Sequence, residues 1–576
     1  MKTTGLLFLV LLAISFHGPT SEGQGTSNVE AEACYARGRA LTERGEYDKA
    51  IAEYSRAIEL DRTNRRAYSN RGWIYDEKQE YDKAIADYSR AIELDPNVGV
   101  LYNNRGIAYG AKGEYDKAIA DCTRAMELNP TFADAAYCWR GVACRMKGEY
   151  DKAITACSMA IQLNPRCEVA YVNRGVAYTH KAEYDLAIAD YTRAIAINPK
   201  FPDTYGNRGS AYMRKAEYDK AIADFAMVIE LDPKRFQAFN CRGLAHYKKG
   251  EYDKAIADCS TAIELYPEFA KAYDNRGLAY DKMGERDRAI ADYTKAIELD
   301  PKLVDAYTDR GDSYNTDRQY DKAVADCSTA IALDPQSATS YNHRGYAQLN
   351  KGSLDAAVTD LSKAIELNFK YAIAYNNRGL AYSAKGDYEK AVADYTQAIE
   401  LDPSASAYNN RGFAHSNQAD YDKAIADYTR AIELDPKFVG AYTNRGVAHN
   451  KNGDYDRAVA DCSTAIAIDP TSASPYNHRG YALLKKGDRD AALTDFSKAI
   501  DLNPKYAAAY VNRGVAREQM GEYDKAVADH STAIALDPKA VDAYKYRGNA
   551  YKQKGEVDKA RADWAEAERL SPHNGK

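Results

Sequence analysis

An Arg-Gly dipeptide with a Tyr, Phe or Cys three residues before its Arg recurs sixteen times along this 576-residue chain, with its glycines at 38, 72, 106, 141, 175 and onward to 548. Every interval between these glycines is 34 residues except one of 35 and one of 33. A period of this size, held from end to end, belongs to stacked repeats in which each unit touches its neighbours. It overrides the length prior, which would divide the chain into about four domains of ~150 residues. The 48 Tyr against 12 Phe and 3 Trp fit one motif copied many times.

The unit around Gly379 shows what is copied. With this glycine taken as position 8, Tyr375, Gly379 and Tyr382 fall at i, i+4 and i+7. Tyr388, Ala391, Tyr395 and Ala398 fall at i, i+3, i+7 and i+10. Each spacing puts its residues on one face of a helix, so the unit predicts two amphipathic helices. Gly386 separates them and can take the positive φ that stops the first, while Pro403 ends the second because it lacks a backbone donor. A lone hairpin cannot bury its apolar stripe, so successive hairpins must stack. The end units deviate as caps should: Cys34 and Leu41 stand at Tyr positions, Arg62 replaces Pro, and a polar helix spans Ala562–Arg569.

The residues at positions 4, 8, 11, 17, 20, 24, 27 and 32, here Tyr375, Gly379, Tyr382, Tyr388, Ala391, Tyr395, Ala398 and Pro403, resemble the tetratricopeptide repeat (TPR) family. The resemblance covers residues 31–574 as sixteen repeats and implies an all-α fold, a right-handed superhelical solenoid of stacked antiparallel helix pairs. One departure is systematic, since position 7, usually Leu in the family, is Arg in every repeat. An acid occupies position 23 in fifteen repeats, giving pairs such as Arg71 with Asp87, Arg105 with Asp121 and Arg378 with Asp394; Ala156 breaks the series in repeat four. A buried guanidinium needs a partner, so the expectation is a charged ladder; the alternative is Arg side chains that snorkel to solvent.

The family resemblance also implies binding of other proteins or peptides in a concave groove lined by the first helices, at positions 2, 5, 6, 9, 12 and 13. Position 6 carries Asn70, Asn104, Asn173, Asn207, Asn275, Asn377, Asn410, Asn444 and Asn512, with His343 and His478 in two repeats. A row of side-chain amides can pair with the backbone of an extended peptide, or it can simply be solvated. The row resembles the asparagine row in the TPR superhelix of O-linked N-acetylglucosamine transferases. Position 9 is mostly apolar, including Trp73, Leu380, Phe413 and Val447, which either take peptide side chains or pack on the neighbouring repeat. The carboxylate-clamp type of groove is excluded, because position 5 is Lys only at Lys545. Two segments, Tyr341–Ala347 and Tyr476–Ala482, match at an offset of 135 residues. That is either tandem expansion or one surface presented twice.

Composition narrows the function further. With 78 Lys+Arg against 84 Asp+Glu and no long basic run, the chain lacks the footprint of a nucleic-acid binder. Lys2, the apolar run Gly5–Phe16, Gly18-Pro19, and Ser21 and Gly23 read as a secretory signal at 1–23 cleaved before Gln24. Residues 24–30 read as a linker and 575–576 as a tail, with no stable membrane span once the signal is removed. An exported chain, periplasmic or secreted, raises the prospect of disulfides. Cys122, Cys157, Cys259, Cys327 and Cys462 share position 24 and read as buried small hydrophobes, whereas Cys144 and Cys157 would face each other across one hairpin as a candidate disulfide. No metal-ligand spacing, cofactor motif or unrepeated catalytic constellation is recognisable, so the chain reads as a non-enzymatic scaffold. The alternative is an accessory subunit that selects substrates for, or assembles, a separate envelope enzyme complex. Oligomeric state has no signature in the sequence.

Overall fold

The computed structural model describes residues 26–130 and 133–571; the expected signal at 1–23 and tail at 575–576 lie outside the described residues. Among the described residues there are 32 helices, two per repeat, and no strand. The first begins at Thr26 and runs to Glu43, so the segment read as a linker at 24–30 is helical from Thr26 onward. The helices fall into two compact units, one ending at Ala279 and one beginning at Tyr280. Within each unit, helix pairs stack in chain order.

Repeat eleven shows how sequence sets the hairpin. Its first helix, Ala372–Ala384, and its second, Tyr388–Leu401, are joined by three residues. Gly386 takes φ 80, which lets its N–H reach Ser383 O at 3.0 Å and Asp387 N–H reach Tyr382 O at 2.9 Å. These bonds satisfy carbonyls that the ending helix leaves open. Asp387 then caps the second helix, accepting from Lys390 N–H at 3.3 Å. Five repeats make this turn without glycine: Gln79, Ala182, Ala216, Arg318 and Ala419 hold φ between 58 and 62. Each such residue costs roughly 1 kcal/mol, which the stacked helices on both sides offset.

Close approach of the two helices explains the invariant glycine at position 8. A Cβ on Gly379 would lie 2.6 Å from Tyr395 Cε1, so the Tyr395 ring, 1% exposed, occupies the space a side chain would need. Ala391 and Ala398 are buried beside it. Successive first helices also touch one another within each unit, as Ala133–Met146 touches Glu168–His180 and Val439–Asn452 touches Ala473–Lys486. Among the described residues of each unit, second helices make no comparable contact with the next second helix. The first helices therefore form the more crowded layer, and positions 5, 6, 9 and 12 can meet across repeats there.

Candidate functional site

The invariant Arg is held by a fork that joins two repeats. Arg378 donates from Nε and Nη2 to both carboxylate oxygens of Asp394, at 2.8 and 2.7 Å, and from Nη1 to Ser362 Oγ of the preceding repeat at 3.0 Å. Its guanidinium also lies 5.7 Å from the Tyr375 ring centroid. Arg71 grips Asp87 and Ser55 in the same way, and Arg105 grips Asp121 and Ser89. The carboxylate bonds stay inside a repeat, while the hydroxyl bond crosses to its neighbour. Side-chain exposures of 20% for Arg378 and 8% for Asp394 make this a largely desolvated, bidentate pair. In repeat four, Ala156 is buried where the carboxylate would stand, and Arg140 keeps the ring contact, over Tyr137 at 5.1 Å.

The asparagine row is built into the stack. Asn377 Nδ2 donates to Asn342 Oδ1 at 3.0 Å, Asn410 to Asn376 at 3.1 Å, and Asn444 to Asn409 at 3.0 Å. Asn275 and Asn512 do the same to Asn240 and Asn477. In every case a position-6 amide reaches position 5 of the preceding repeat. Asn70 reaches the Tyr35 and Tyr54 hydroxyls, and Asn173 donates to Val169 O while accepting from Arg145 Nε at 2.7 Å. Asn104 and Asn207 are half-buried on their first helices. Six of the row's donors, on Asn70, Asn275, Asn377, Asn410, Asn444 and Asn512, thus join repeats rather than standing free in solvent. Its acceptors differ, because Oδ1 of Asn410 and of Asn444 takes no donor among the described residues.

Position 9 divides in the same manner. Trp73 packs edge-on against Tyr47 of the preceding repeat, centroids 6.0 Å apart, and Leu380 packs on Ala391, Tyr395 and Ala414. Val447 is half-buried. Phe413, by contrast, is 48% exposed, as is Ile373 at position 2 to 57%.

The duplicated segments place like residues in unlike fields. The His343 and His478 carbonyls accept from Asn315 and Asn450 Nδ2, both at 3.0 Å. His343 Nε2 lies 3.7 Å from Asp312 Oδ1, where the second copy has Val447. Burial, with Lys451 adding to it, pushes the His478 imidazole down to about 4. Two further charges on this layer escape sequence reading. Burial lifts the Asp76 carboxyl to about 6, and burial lowers the pKa of Arg145, which donates to the Asn173 amide oxygen rather than to a carboxylate. Both are position-12 residues, and only the stacking offset reveals that position 12 meets position 6 of the next repeat.

The candidate Cys144–Cys157 disulfide is not formed. Both thiols are free, and they sit in different parts of the core. Cys157 Sγ points at Gly141, where an added Cβ would lie 2.4 Å away, while Cys144 packs with Ala153 and with Ala177 of the following repeat.

The profile described as tetratricopeptide repeat matches ten segments between residues 66 and 472, more than half of the chain. Related TPR profiles match 38–78, 292–325, 349–386, 480–521, 518–555 and 541–574. The chain belongs to the tetratricopeptide repeat family. Among solved structures, this TPR protein is similar to the APC/C hetero-tetramer Cut9–Hcn1 at 16% identity and TM-score 0.53, over 84% of this chain and 96% of that one, a likeness of fold. It is also similar to MamA at 30% identity and TM-score 0.25, over 28% of this chain and 93% of that one. A third similarity is to YrrB, described as a TPR protein with an unusual peptide-binding site, at 24% identity and TM-score 0.28 over 32% and 95% of the two chains. Comparison with curated proteins finds no match. Among the described residues, no helix of this TPR array is long and apolar enough to cross a membrane.

Proposed function

We propose that this TPR array is a non-enzymatic scaffold that holds an extended segment of another protein along its first helices, in an exported compartment. The observation that carries the reading is a coincidence on the first helices of repeats eleven to thirteen. Exposed apolar side chains, Ile373 and Phe413, share this layer with the unused Oδ1 acceptors of Asn410 and Asn444. Amide oxygens fit peptide N–H donors regardless of sequence, and exposed apolar groups supply the area that peptide side chains can cover. The N-terminal segment, with Lys2, its short apolar run and Gly18-Pro19, supports export.

A peptide selected on the full-length array from a displayed random library tests the groove. Phe413→Asp is expected to weaken its binding about tenfold or more, equivalent to about 1.4 kcal/mol. Arg430→Glu, on the second helix of repeat twelve (Tyr421–Leu434), is expected to leave binding unchanged. The reverse pattern would assign binding to the second-helix face. For export, N-terminal sequencing of the protein from fractionated cells is expected to begin at Gln24; an intact Met1 would overturn that part.

A further inference from the structure

The ten cysteines do not behave alike. Those at position 24 are buried against the first-helix glycine, and burial pushes the thiols of Cys122, Cys157, Cys327 and Cys462 up to about 12. Cys138 and Cys167 occupy positions 5 and 34 of repeat four, and their thiols share a hydrogen bond. Cys138 belongs to a small core with Cys157, Ala160 and Ala170, and Cys167 packs against it. The contact is a property of the scaffold as well as of these two residues. In repeat fourteen the same positions hold Asn477 and Tyr506, whose Nδ2 and hydroxyl meet at 3.3 Å.

Neighbouring bonds fix the approach. Asp134, one turn before Cys138, accepts from Asn164 Nδ2 at 3.0 Å, and Asn164 O accepts from Cys167 N–H at 3.0 Å. Cys167 is the N-cap residue of Glu168–His180, the first helix of repeat five, so a bond from it to Cys138 crosses from one repeat to the next. It does so in the repeat where Ala156 removes the ladder carboxylate.

We propose that Cys138 and Cys167 form a disulfide that ties repeat four to repeat five. Cys167 is the attacking thiol. The hydrogen bond with Cys138, aided by the Ala170 N–H, draws it down to about 7, and it is the more exposed of the two. Its thiolate attacks one sulfur of a low-molecular-weight disulfide such as oxidised glutathione, giving a mixed disulfide and releasing one thiolate. Cys138 then gives its proton to solvent base, attacks Cys167 Sγ and expels the second thiolate. Two protein thiols are oxidised and one disulfide is reduced to two thiols.

Trypsin places the pair on separate peptides, Ala125–Arg140 and Cys167–Arg174, each with one cysteine. Full-length protein is incubated with oxidised glutathione, alkylated and mapped without reduction. The expected result is these two peptides joined in the parent, and a glutathione adduct accumulating at Cys167 in Cys138→Ser. A parent in which Cys167 stays a free thiol or a stable adduct, or in which Cys138 or Cys167 joins another cysteine, overturns the proposal. The parent result decides by itself if the variant fails to fold.

Discussion

Repeats four and eleven share one hairpin and hold their invariant arginine in different ways. In repeat eleven, Arg378 is locked between Asp394 and Ser362. In repeat four, Arg140 has no position-23 acid and leans on the Tyr137 ring, yet the two helices of that repeat, Ala133–Met146 and Tyr150–Leu163, form and pack as elsewhere. The rung is therefore not what makes the hairpin. Burial of glycine, alanine and the position-24 residue does that, and the Arg fork adds specific stability and a link to the preceding repeat. The same comparison shows what the stack tolerates: a charge may lose its partner where it can keep part of its surface in solvent or on a ring face.

Turning repeat eleven into repeat four is the harshest way to break the comparison. Asp394→Ala strands a half-buried guanidinium and is expected to cost ~3 kcal/mol locally. Native-state hydrogen exchange should register it, with protection falling in repeats ten to twelve and little change in distant repeats. A uniform loss along the array would show that the rung acts globally. Asn377→Ala removes an inter-repeat bond and leaves Asn342 Oδ1 without its donor, at an expected ~1–2 kcal/mol by the same measurement. Full retention would mean that solvent replaces that bond freely.

Asp76 sharpens the comparison with an uncompensated carboxylate. Its folded pKa of about 6 lies above the usual carboxylate range, so the charged form is the one that folding disfavours. Stability contributed by this group is full at low pH and falls as pH rises from about 4 to about 6, then levels off. Asp76→Asn removes that loss. The variant is expected to be ~1 kcal/mol more stable than the parent at neutral pH, allowing for solvent screening, and no more stable near pH 4. Urea titrations at the two pH values check both halves. The smallest effect is expected from Ala156→Asp, which supplies repeat four with its missing rung. A gain under ~1 kcal/mol, visible as slower exchange in repeats three to five, would show Arg140 taking the new carboxylate as Arg378 takes Asp394.

The Arg–Asp ladder could be read from complementary residue types at fixed positions, because both partners lie inside one repeat and recur together. The cysteines could not. Repeat spacing alone sets positions 11 and 24 opposite each other, but helical side chains lean toward their own N-terminus, so the position-24 side chain meets the glycine at position 8. Cys144 is left to pack on the next repeat. The bonding of the asparagine donors was not legible either, since the offset that brings position 6 onto position 5 of the preceding repeat belongs to the stack.

By itself the sequence determined the number of repeats, the two helices in each, the turn glycines and the family, because contacts within one hairpin are local and repeat with the chain. The tertiary structure decided which first-helix polar groups are consumed between repeats and which remain open. It also decided that Cys138 meets Cys167 and that Asp76 and His478 are partly withdrawn from solvent. Those outcomes depend on the offset and closeness of neighbouring helices, through which desolvation and hydrogen bonding act on residues far apart in sequence.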